Sequence, residues 1–332
     1  MGNKTSILVT GGAGYIGSVV SKILIEENFQ VIIVDNLTKG HKQAIQNEAK
    51  FYHCSTLNKE ALNEVFEENP QISAIMHFAA SIEVGESVVL PDKYFYNNVL
   101  GSLNVIDLAN KHKKEGFILS STAAVYGDPK TIPINESSPT IPINPYGFSK
   151  LQVEQFLKYY YNAYKLKYSC LRYFNACGSY KNLGEDHNPE THLIPNIYKT
   201  ILGGQSTLKI FGDKYNTHDG TAIRDYIHVE DLARAHILAL KAILESSITN
   251  EAFNIGSGSG YSVEEVVKAA EEASGRPISR IIADPRPGDA PRLIADTEKI
   301  QSVLGWKPEH ELKSMLKSAW EWHKSNPEGY KD

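Results

Sequence analysis

The chain has 332 residues, of which 42% are hydrophobic and 22% are charged, and at about 150 residues per domain it is long enough for two domains or one large α/β unit. This composition excludes disordered and collagen-like chains, and no apolar run reaches the roughly 18 residues of a membrane-spanning helix. Lys and Arg number 34 against 39 Asp and Glu, a net charge of −5, so we expect no nucleic-acid or membrane partner, although a local site for one small anion is compatible with it.

Short β-branched segments alternate with longer helical patterns through the first half of the chain. The pattern predicts strands at 6–10, 30–35, 74–78, 116–120 and 168–173, and helices at 16–27, 59–68, 92–113 and 146–164. Such alternation is typical of βαβ units, whose strands form a parallel sheet with helices on its faces. The predicted fold class is therefore α/β, with a doubly wound parallel sheet.

The second half of the chain is less regular. Periodicity weakens between about 175 and 220, where glycines and prolines interrupt the chain, and a strand followed by a helix is predicted over 225–244. Further predicted elements are a strand at 252–255 and helices at 262–274, 297–304 and 312–326, around a proline- and arginine-rich loop at 284–292. We expect a smaller, mixed α/β C-terminal domain, with the chain crossing between the two domains more than once.

The cysteines indicate the redox compartment. Cys54, Cys170 and Cys177 are odd in number and show no C-x-x-C spacing, which excludes a disulfide framework and a thiolate zinc site. We therefore expect a reducing, cytoplasmic location.

Residues 1–6 match the short myristoylation pattern but run directly into the apolar segment 7–9, so we expect no lipid anchor.

A glycine triplet lies between the first predicted strand and the first predicted helix. Gly11, Gly14 and Gly17 form G-x-x-G-x-x-G, where glycine allows a tight turn, close approach of the backbone to a pyrophosphate, and packing of helix on strand. The N-terminus of the following helix offers unpaired N–H groups to the phosphates. Glycines also mark ordinary turns, but the strand–turn–helix context indicates a dinucleotide site.

Asp35 ends the second predicted strand. An acid at this place accepts hydrogen bonds from the adenosine ribose hydroxyls and repels a 2′-phosphate, which favours NAD over NADP. Two observations leave alternatives open: Lys39 and Lys42 lie nearby and could meet such a phosphate, and Asp35 could simply start a turn with Asn36.

Tyr146 and Lys150 form Y-x-x-x-K at a predicted helix start, and this spacing puts the phenol and the ammonium on one face of the helix. Lowering a tyrosine pKa from about 10 to about 7 takes about 4 kcal/mol, which one cation at about 4 Å supplies at an effective dielectric of about 20. We expect Tyr146 to act as general base toward a substrate hydroxyl. Lys150 would lower its pKa, and the end of the neighbouring strand, at 119–122, supplies hydroxyls, including that of Thr122, where a substrate could sit.

These features together resemble the extended branch of the short-chain dehydrogenase/reductase superfamily, whose dinucleotide domain is a Rossmann fold. Segments over nearly the whole chain are similar to the UDP-glucose 4-epimerase family, namely His77 to Ala80, Val84 to Ser87, Asn97 to Val99, Ser120 to Gly127, Arg172 to Asn175, Gly220 to Val229, Arg286 to Asp289, and Leu304 to Trp306. The resemblance implies an NAD-binding domain at 1–178 plus about 222–250. Residues 179–221 and 251–332 would form an interleaved domain that binds the nucleotide sugar.

The resemblance also implies the site residues. The implied NAD contacts are Gly11, Gly14, Tyr15, Ile16, Gly17, Asp35, Asn36, Ser55, Phe78, Ala79, Ala80, Asn97, Thr122, Tyr146, Lys150 and Phe174. The implied contacts of the UDP-sugar are Thr122, Tyr146, Asn175, Leu193, Lys209, Phe211, Arg224, Arg286, Asp289 and Leu293. Among these, Arg224 and Arg286 would bind the diphosphate, where planar guanidinium groups suit phosphate oxygens, and Asp289 the uridine ribose. Phe211 and the Lys209 backbone would flank the uracil.

One local contrast separates the activities found in this superfamily branch. Nucleotide-sugar dehydratases and decarboxylases carry acidic residues at the positions held here by Ala123 and Ala124. Elimination of water needs an acid and a base beyond the tyrosine, and two methyl groups cannot supply them. The resemblance therefore implies an isomerase of galactose metabolism that interconverts UDP-galactose and UDP-glucose through a 4-keto sugar, with NAD staying bound.

Three positions depart from the family pattern and keep alternatives open. Ser55 stands where an Asp often contacts the adenine, Ile82 where some relatives place a cofactor-binding Lys, and Leu293 at the gate of the sugar pocket. Leu293 is intermediate in size, so preference for UDP-N-acetylglucosamine, UDP-N-acetylgalactosamine or a UDP-pentose is an alternative. A non-catalytic dinucleotide sensor is another, against which the intact Tyr146 and Lys150 argue.

Histidines and tyrosines raise two further questions. His187, His192, His218 and His228 show no zinc spacing, so we expect no metal. The tyrosines at 159–161 and 164 lie on the helix of Tyr146. We expect them to pack, some against the same helix of a second subunit, since the resemblance implies a homodimer.

Overall fold

The computed structural model describes residues 4–285 and 290–331. Within these residues the strands are β1 (Ser6–Thr10), β2 (Gln30–Asp35), β3 (Lys50–His53), β4 (Ile72–His77), β5 (Gly116–Thr122), β6 (Lys167–Tyr173), β7 (Asn175–Cys177), β8 (Leu208–Phe211), β9 (Ile223–His228), β10 (Asn250–Ile255), β11 (Gly260–Ser262), β12 (Arg280–Ala283) and β13 (Arg292–Leu293). The α-helices over the same residues are α1 (Tyr15–Glu26), α2 (Lys59–Glu68), α3 (Val84–Val89), α4 (Pro91–Tyr94), α5 (Gly101–Lys111), α6 (Pro145–Tyr164), α7 (Leu193–Ile201), α8 (Val229–Leu244), α9 (Val263–Ser274), α10 (Glu298–Leu304) and α11 (Leu312–Ser325).

The chain divides into two compact units, and each is built from several segments. The first contains the described residues of 1–127, 139–172 and 233–253, and the second those of 128–138, 173–232 and 254–332. The predicted boundaries differ from these mainly at 128–138, where Ile134 forms a bridge to Ala295, and at 222–232; both segments lie in the second unit. The reason at 222–232 is strand pairing, because β9 is hydrogen-bonded to β11, β13 and β7.

A seven-stranded sheet organises the first unit. Its strand order is β10-β6-β5-β4-β1-β2-β3, and β1 pairs in parallel with both β2 and β4. Every residue of β1 is buried, as expected of a parallel strand covered on both faces. The direction of winding reverses at β1, so the predicted doubly wound fold is confirmed, and the carboxyl ends of β1 and β4 form the crevice where such sheets bind ligands.

The region predicted as one helix over 92–113 is interrupted in the structure. It consists of α4, a π-helical segment at Phe95–Leu100, and α5. Asn98 explains why this segment is held in place: its Oδ1 accepts the Ser81 backbone N–H at 2.7 Å and its Nδ2 donates to Ser149 Oγ at 3.0 Å. Local widening of a helix of this kind is frequent at functional sites.

The second unit has a sheet and a helical core of its own. Strands β11, β9 and β13 are adjacent in that order, β7 also pairs with β9, and β8 pairs in parallel with β12. Helices α7, α9 and α11 enclose an apolar core that includes Tyr198, Val266, Met315 and Trp320. The segment between 175 and 220, which the sequence describes as irregular, therefore contains β7, α7 and β8.

Candidate functional site

The turn between β1 and α1 is closed so tightly that glycine is required. Gly11 has φ +75°, and a Cβ on it would lie 2.5 Å from the Ala79 backbone nitrogen. A Cβ on Gly17, in the first turn of α1, would lie 2.1 Å from the Gly11 carbonyl oxygen. Gly14 caps α1, and its carbonyl accepts the Ser18 N–H at 2.9 Å. The turn can therefore bring backbone N–H groups and the N-terminus of α1 close to a phosphate.

A cavity of about 360 Å³ adjoins this turn, a size typical of small-molecule sites. The predicted NAD contacts that line it are Gly11, Gly14, Asp35, Asn36, Phe78, Ala79, Ala80 and Asn97.

Other predicted NAD contacts lie elsewhere: Tyr15, Ile16 and Gly17 start α1, Thr122 ends β5, and Tyr146 and Lys150 lie on α6. Ser55 does not line the cavity, although its neighbours Cys54 and Thr56 do. Phe174 belongs to the second unit.

Asp35 is held by the backbone at the end of β2. Its carboxylate accepts N–H groups from Ala13 at 3.0 Å and Leu37 at 2.8 Å. Burial raises the pKa of Asp35 above its ordinary value, although these hydrogen bonds oppose the rise. Each carboxylate oxygen has a second lone pair, so the group can accept hydrogen bonds from a ribose while keeping both backbone contacts.

The sequence missed several residues that line the cavity. Those are Val34, Thr38, Gly40, Cys54, Thr56, Leu57, Ser81, Lys93 and Tyr96; Lys39, which the sequence indicates only as a group that could meet a 2′-phosphate, lines the cavity as well. Cys54, Thr56 and Leu57 follow β3, a four-residue strand that the pattern did not reveal. In a parallel sheet the carboxyl ends of strands lie at the same edge. A pattern that revealed β3 would therefore have predicted that the residues after it lie near the glycine turn. The two lysines are ion-paired, Lys39 with Glu83 at 3.3 Å and Lys93 with Glu86 at 2.8 Å.

Helix α6 presents the predicted catalytic pair. The helix starts at Pro145 after Asn144, whose side chain caps it by accepting the Gly147 N–H at 2.8 Å. Tyr146 is 6% exposed and Lys150 is 3% exposed. The Lys150 ammonium donates to the Ser120 carbonyl oxygen at 2.9 Å. This hydrogen bond holds the ammonium near the carboxyl end of β5.

Burial of Lys150 has an electrostatic consequence. It lowers the pKa of the ammonium to about 8, and Glu154 partly opposes this change. Lys150 is still mostly protonated at neutral pH, in a poorly solvated place where a cation acts strongly on nearby groups. The arrangement can therefore stabilise an anion formed close to it on the same helix face.

A buried ion pair, which the sequence did not reveal, fixes the end of β5 relative to α6. Glu154 accepts from Arg172 Nη2 at 2.6 Å and from Ser121 Oγ at 2.5 Å. Arg172 also donates to the Tyr126 hydroxyl at 2.9 Å. Glu154 lies two helical turns after Tyr146 on the same face, which is the signal that could have found it. Removing either charge would leave the other buried without its partner.

Thr122 and Tyr146 belong to the first unit, and the other predicted contacts of the nucleotide sugar fall within the bounds of the second unit. In the strand register Arg224 of β9 lies opposite Leu293 of β13, and Asn175 of β7 lies opposite Tyr226. The structure thus brings Arg224, Leu293 and Asn175 onto neighbouring strands. Lys209 and Phe211 lie on β8 of the two-stranded sheet, and Leu193 is the first residue of α7. The predicted contacts Arg286 and Asp289 lie outside the described residues.

Comparison with known proteins decides the family. Residues 7–256 match the family described as "NAD dependent epimerase/dehydratase family", which covers well over half of the chain. The chain belongs to this family. The geometry of the first unit fits its cofactor, because a glycine turn, an acidic strand end and a cavity adjoin one another.

Relatives within the family are similar over their whole length. The UDP-glucose 4-epimerase of Halalkalibacterium halodurans is 47% identical over 328 residues, covering 98% of this chain and 97% of the relative. That of Streptococcus mutans is 44% identical, covering 98% and 99%.

Solved structures of family members are similar as well. UDP-glucose 4-epimerase from Brucella ovis in complex with NAD has a TM-score of 0.91 at 41% identity, covering 96% of this chain and 98% of that one. The enzyme from Bifidobacterium longum in complex with NAD+ and UDP has a TM-score of 0.92 at 38% identity, covering 98% and 100%. In the described part of this family member, no helix is long and apolar enough to cross a membrane.

Proposed function

We propose that the chain catalyses the reversible 4-epimerisation of UDP-galactose and UDP-glucose through a 4-keto sugar. The observation that carries this proposal is the end of β5, where Thr122 is followed by Ala123 and Ala124. The buried Tyr146 and Lys150 supply what oxidation of a hydroxyl needs. The two alanines supply no further acid or base for elimination.

Tyr146 is the proposed base for the 4-hydroxyl of the sugar. As the phenolate it takes the proton of the 4-hydroxyl when the sugar is oxidised, and as the phenol it returns that proton to the 4-keto oxygen when the sugar is reduced; the Lys150 ammonium stabilises the phenolate form. Thr122 hydrogen-bonds the same sugar hydroxyl.

NAD fits the cavity of the first unit. The pyrophosphate would be held at the glycine turn by Gly11, Gly14 and the start of α1, and the adenosine ribose by Asp35. Lys150 would hold the nicotinamide ribose. The chemistry that NAD supplies when bound is reversible hydride transfer with carbon 4 of the sugar.

The second unit is proposed to hold the UDP-sugar by its nucleotide. Arg224 binds the diphosphate, Phe211 and the Lys209 backbone flank the uracil, and Asn175 and Leu193 line the sugar or phosphate region. Anchoring through the diphosphate leaves the sugar able to turn over and present its opposite face. Epimerisation requires that freedom, because hydrogen must return to the other side of carbon 4.

We propose a homodimer in the cytoplasm as the working form. The helices of the first unit expose apolar side chains, among them Val88 at 63% and Val89 at 76%. Phe95 and Phe148 are also exposed, and their rings lie 6.0 Å apart. An apolar surface of this kind favours a second copy of the chain. The free thiols Cys54, Cys170 and Cys177 support a reducing compartment.

Initial rates on a panel of UDP-sugars test the proposed substrate. The products are measured by chromatography. We expect conversion of UDP-galactose to UDP-glucose to be the fastest reaction. Faster turnover of UDP-N-acetylgalactosamine or a UDP-pentose would replace the proposed substrate while keeping the reaction. Absence of turnover on every UDP-sugar, with NAD bound, would instead indicate a sensor.

A further inference from the structure

The loop before α7 brings two histidines and two glutamates together in the second unit. Four side chains each offer one possible ligand atom, and these atoms all lie within 4.8 Å of one another. The residues are Glu185, His187, Glu190 and His192. The two carboxylate side chains are 5% and 3% exposed, and the imidazoles are 12% and 43% exposed. Histidine spacing alone did not indicate a metal, because half of this donor set is carboxylate and the four residues meet only in the folded loop.

We propose that these four residues form a structural site for a divalent transition metal ion, with zinc as the natural occupant. Imidazole nitrogen and carboxylate oxygen are ordinary zinc ligands, and four protein ligands are typical of a structural site. Two carboxylates and two neutral imidazoles also balance the charge of a divalent ion. Without the ion, two carboxylates remain buried close together, which is unfavourable.

The distances between the donor atoms support coordination. His187 Nδ1 lies 3.5 Å from Glu185 Oε1 and 3.7 Å from Glu190 Oε2, and His192 Nδ1 lies 3.8 Å from Glu190 Oε1. With metal–ligand bonds of about 2.1 Å, ligand atoms at the corners of a tetrahedron are about 3.4 Å apart. A fourth pair, His192 Nδ1 and Glu185 Oε1, is hydrogen-bonded at 2.5 Å, so a bound ion would separate these two atoms.

Glu190 provides a second, independent indication. Its Oε1 accepts the backbone N–H groups of Thr191 and His192, both at 2.8 Å, which fixes the direction of the carboxylate. Its Oε2 is buried and has no hydrogen-bond partner among the described residues. A buried carboxylate oxygen without a hydrogen bond is costly, and a metal ion at the cluster would satisfy it.

A second group, His228, Glu230 and His310, differs in this respect. His228 Nδ1 accepts the Glu230 backbone N–H at 3.0 Å, and its Nε2 is hydrogen-bonded to Ser318 Oγ at 2.9 Å. Both ring nitrogens of His228 are therefore already used within the protein. We assign no metal to this group.

The proposed site also has a place in the fold. His192 directly precedes α7, and Leu193 begins that helix. An ion bound by 185–192 would tie the irregular loop to the start of α7, where Leu193 is a proposed contact of the sugar or phosphate. The site is therefore structural, and its test is metal binding itself.

The test is zinc binding by the full chain, prepared without a polyhistidine tag, stripped with chelator and dialysed. We expect isothermal titration with ZnCl2 to give one tight site per chain, and elemental analysis to give the same stoichiometry. Cobalt in place of zinc should give the intense visible bands of a four-coordinate ion. Glu190→Gln and His192→Gln should each weaken binding by more than about 100-fold, since even outer-shell partners change metal affinity about 10- to 100-fold.

His218→Gln is the matched control. His218 is 54% exposed and lies near two carboxylates, Asp219 at 3.7 Å and Glu265 at 3.3 Å, but it is not part of the cluster. The His218→Gln variant should bind zinc as tightly as the unchanged protein does. The proposal is overturned if the unchanged protein takes up no zinc at micromolar concentration, or if Glu190→Gln and His192→Gln, folded by circular dichroism, bind it equally well.

Discussion

At the scale of single residues, the account depends on a buried tyrosine beside a buried lysine. Tyr146→Phe removes the ionisable hydroxyl and keeps the ring that packs edge-on against Tyr94. We expect kcat to fall by about 10²- to 10⁴-fold, the usual contribution of general acid–base catalysis, while NAD remains bound. Tyr159→Phe, on the same helix but 67% exposed, is the control and should leave kcat unchanged. Equal rates for both variants would remove Tyr146 as the base.

Lys150 gives a prediction about pH. Burial lowers its pKa from 10.5 to about 8, against the opposing charge of Glu154. The folded protein therefore releases this proton before the unfolded chain does. The cost of burying the ammonium is fully present below pH about 8 and disappears as the pH approaches 10.5, so this group makes the fold more stable with rising pH.

Activity should respond in the opposite direction. Loss of the ammonium removes the charge that stabilises the Tyr146 phenolate, so kcat should fall as the pH rises through about 8. The measurement is a kcat–pH profile together with thermal melting at each pH. An alkaline fall in kcat with an unchanged or higher melting temperature agrees with this account. A fall that only follows unfolding would contradict it.

At the scale of elements, the β1–α1 turn sets the approach to the phosphates. A Cβ on Gly17 would come within 2.1 Å of the Gly11 carbonyl oxygen, so Gly17→Ala must displace the turn. We expect a loss of about 1–3 kcal/mol in the free energy of unfolding, as for other overpacked sites, together with loss of bound NAD. Chemical denaturation and the NAD content of the purified protein measure the two effects.

Gly85→Ala is the control for this change. A Cβ on Gly85, within α3, meets no atom within 4 Å. Replacing glycine by alanine in a helix is neutral or favourable by up to about 1 kcal/mol. Loss of NAD in Gly85→Ala, or its retention in Gly17→Ala, would contradict the role given to the turn.

The elements also show what the sequence can and cannot predict. The strand–glycine–helix unit and the Tyr146–Lys150 spacing are local, so the pattern predicts them and the structure has them. Strand β3 is four residues long and the π-helical segment depends on Asn98 contacts with Ser81 and Ser149, so neither has a clear periodicity. The Glu154–Arg172 pair and the cluster at 185–192 need tertiary contacts, and composition and spacing do not encode those.

At the scale of the whole molecule, the exposed apolar helices of the first unit predict self-association. Val89→Glu places a charge on that surface, where Val89 is 76% exposed, and should convert a dimer into monomers at micromolar concentration. Sedimentation velocity measures the change. Val303→Glu, at a half-exposed valine of the second unit, should leave the dimer intact. A monomeric unchanged protein would contradict the proposed dimer.

The proposed reaction makes one demand on the complete enzyme: the hydrogen that leaves carbon 4 of the sugar must return to carbon 4 of the same sugar. Conversion of UDP-galactose in heavy water, followed by proton NMR, tests this directly. The account predicts UDP-glucose that keeps its original hydrogen at carbon 4, with no free NADH accumulating. Deuterium at carbon 4 would show exchange with solvent and would contradict the proposed return of the same hydrogen to the sugar.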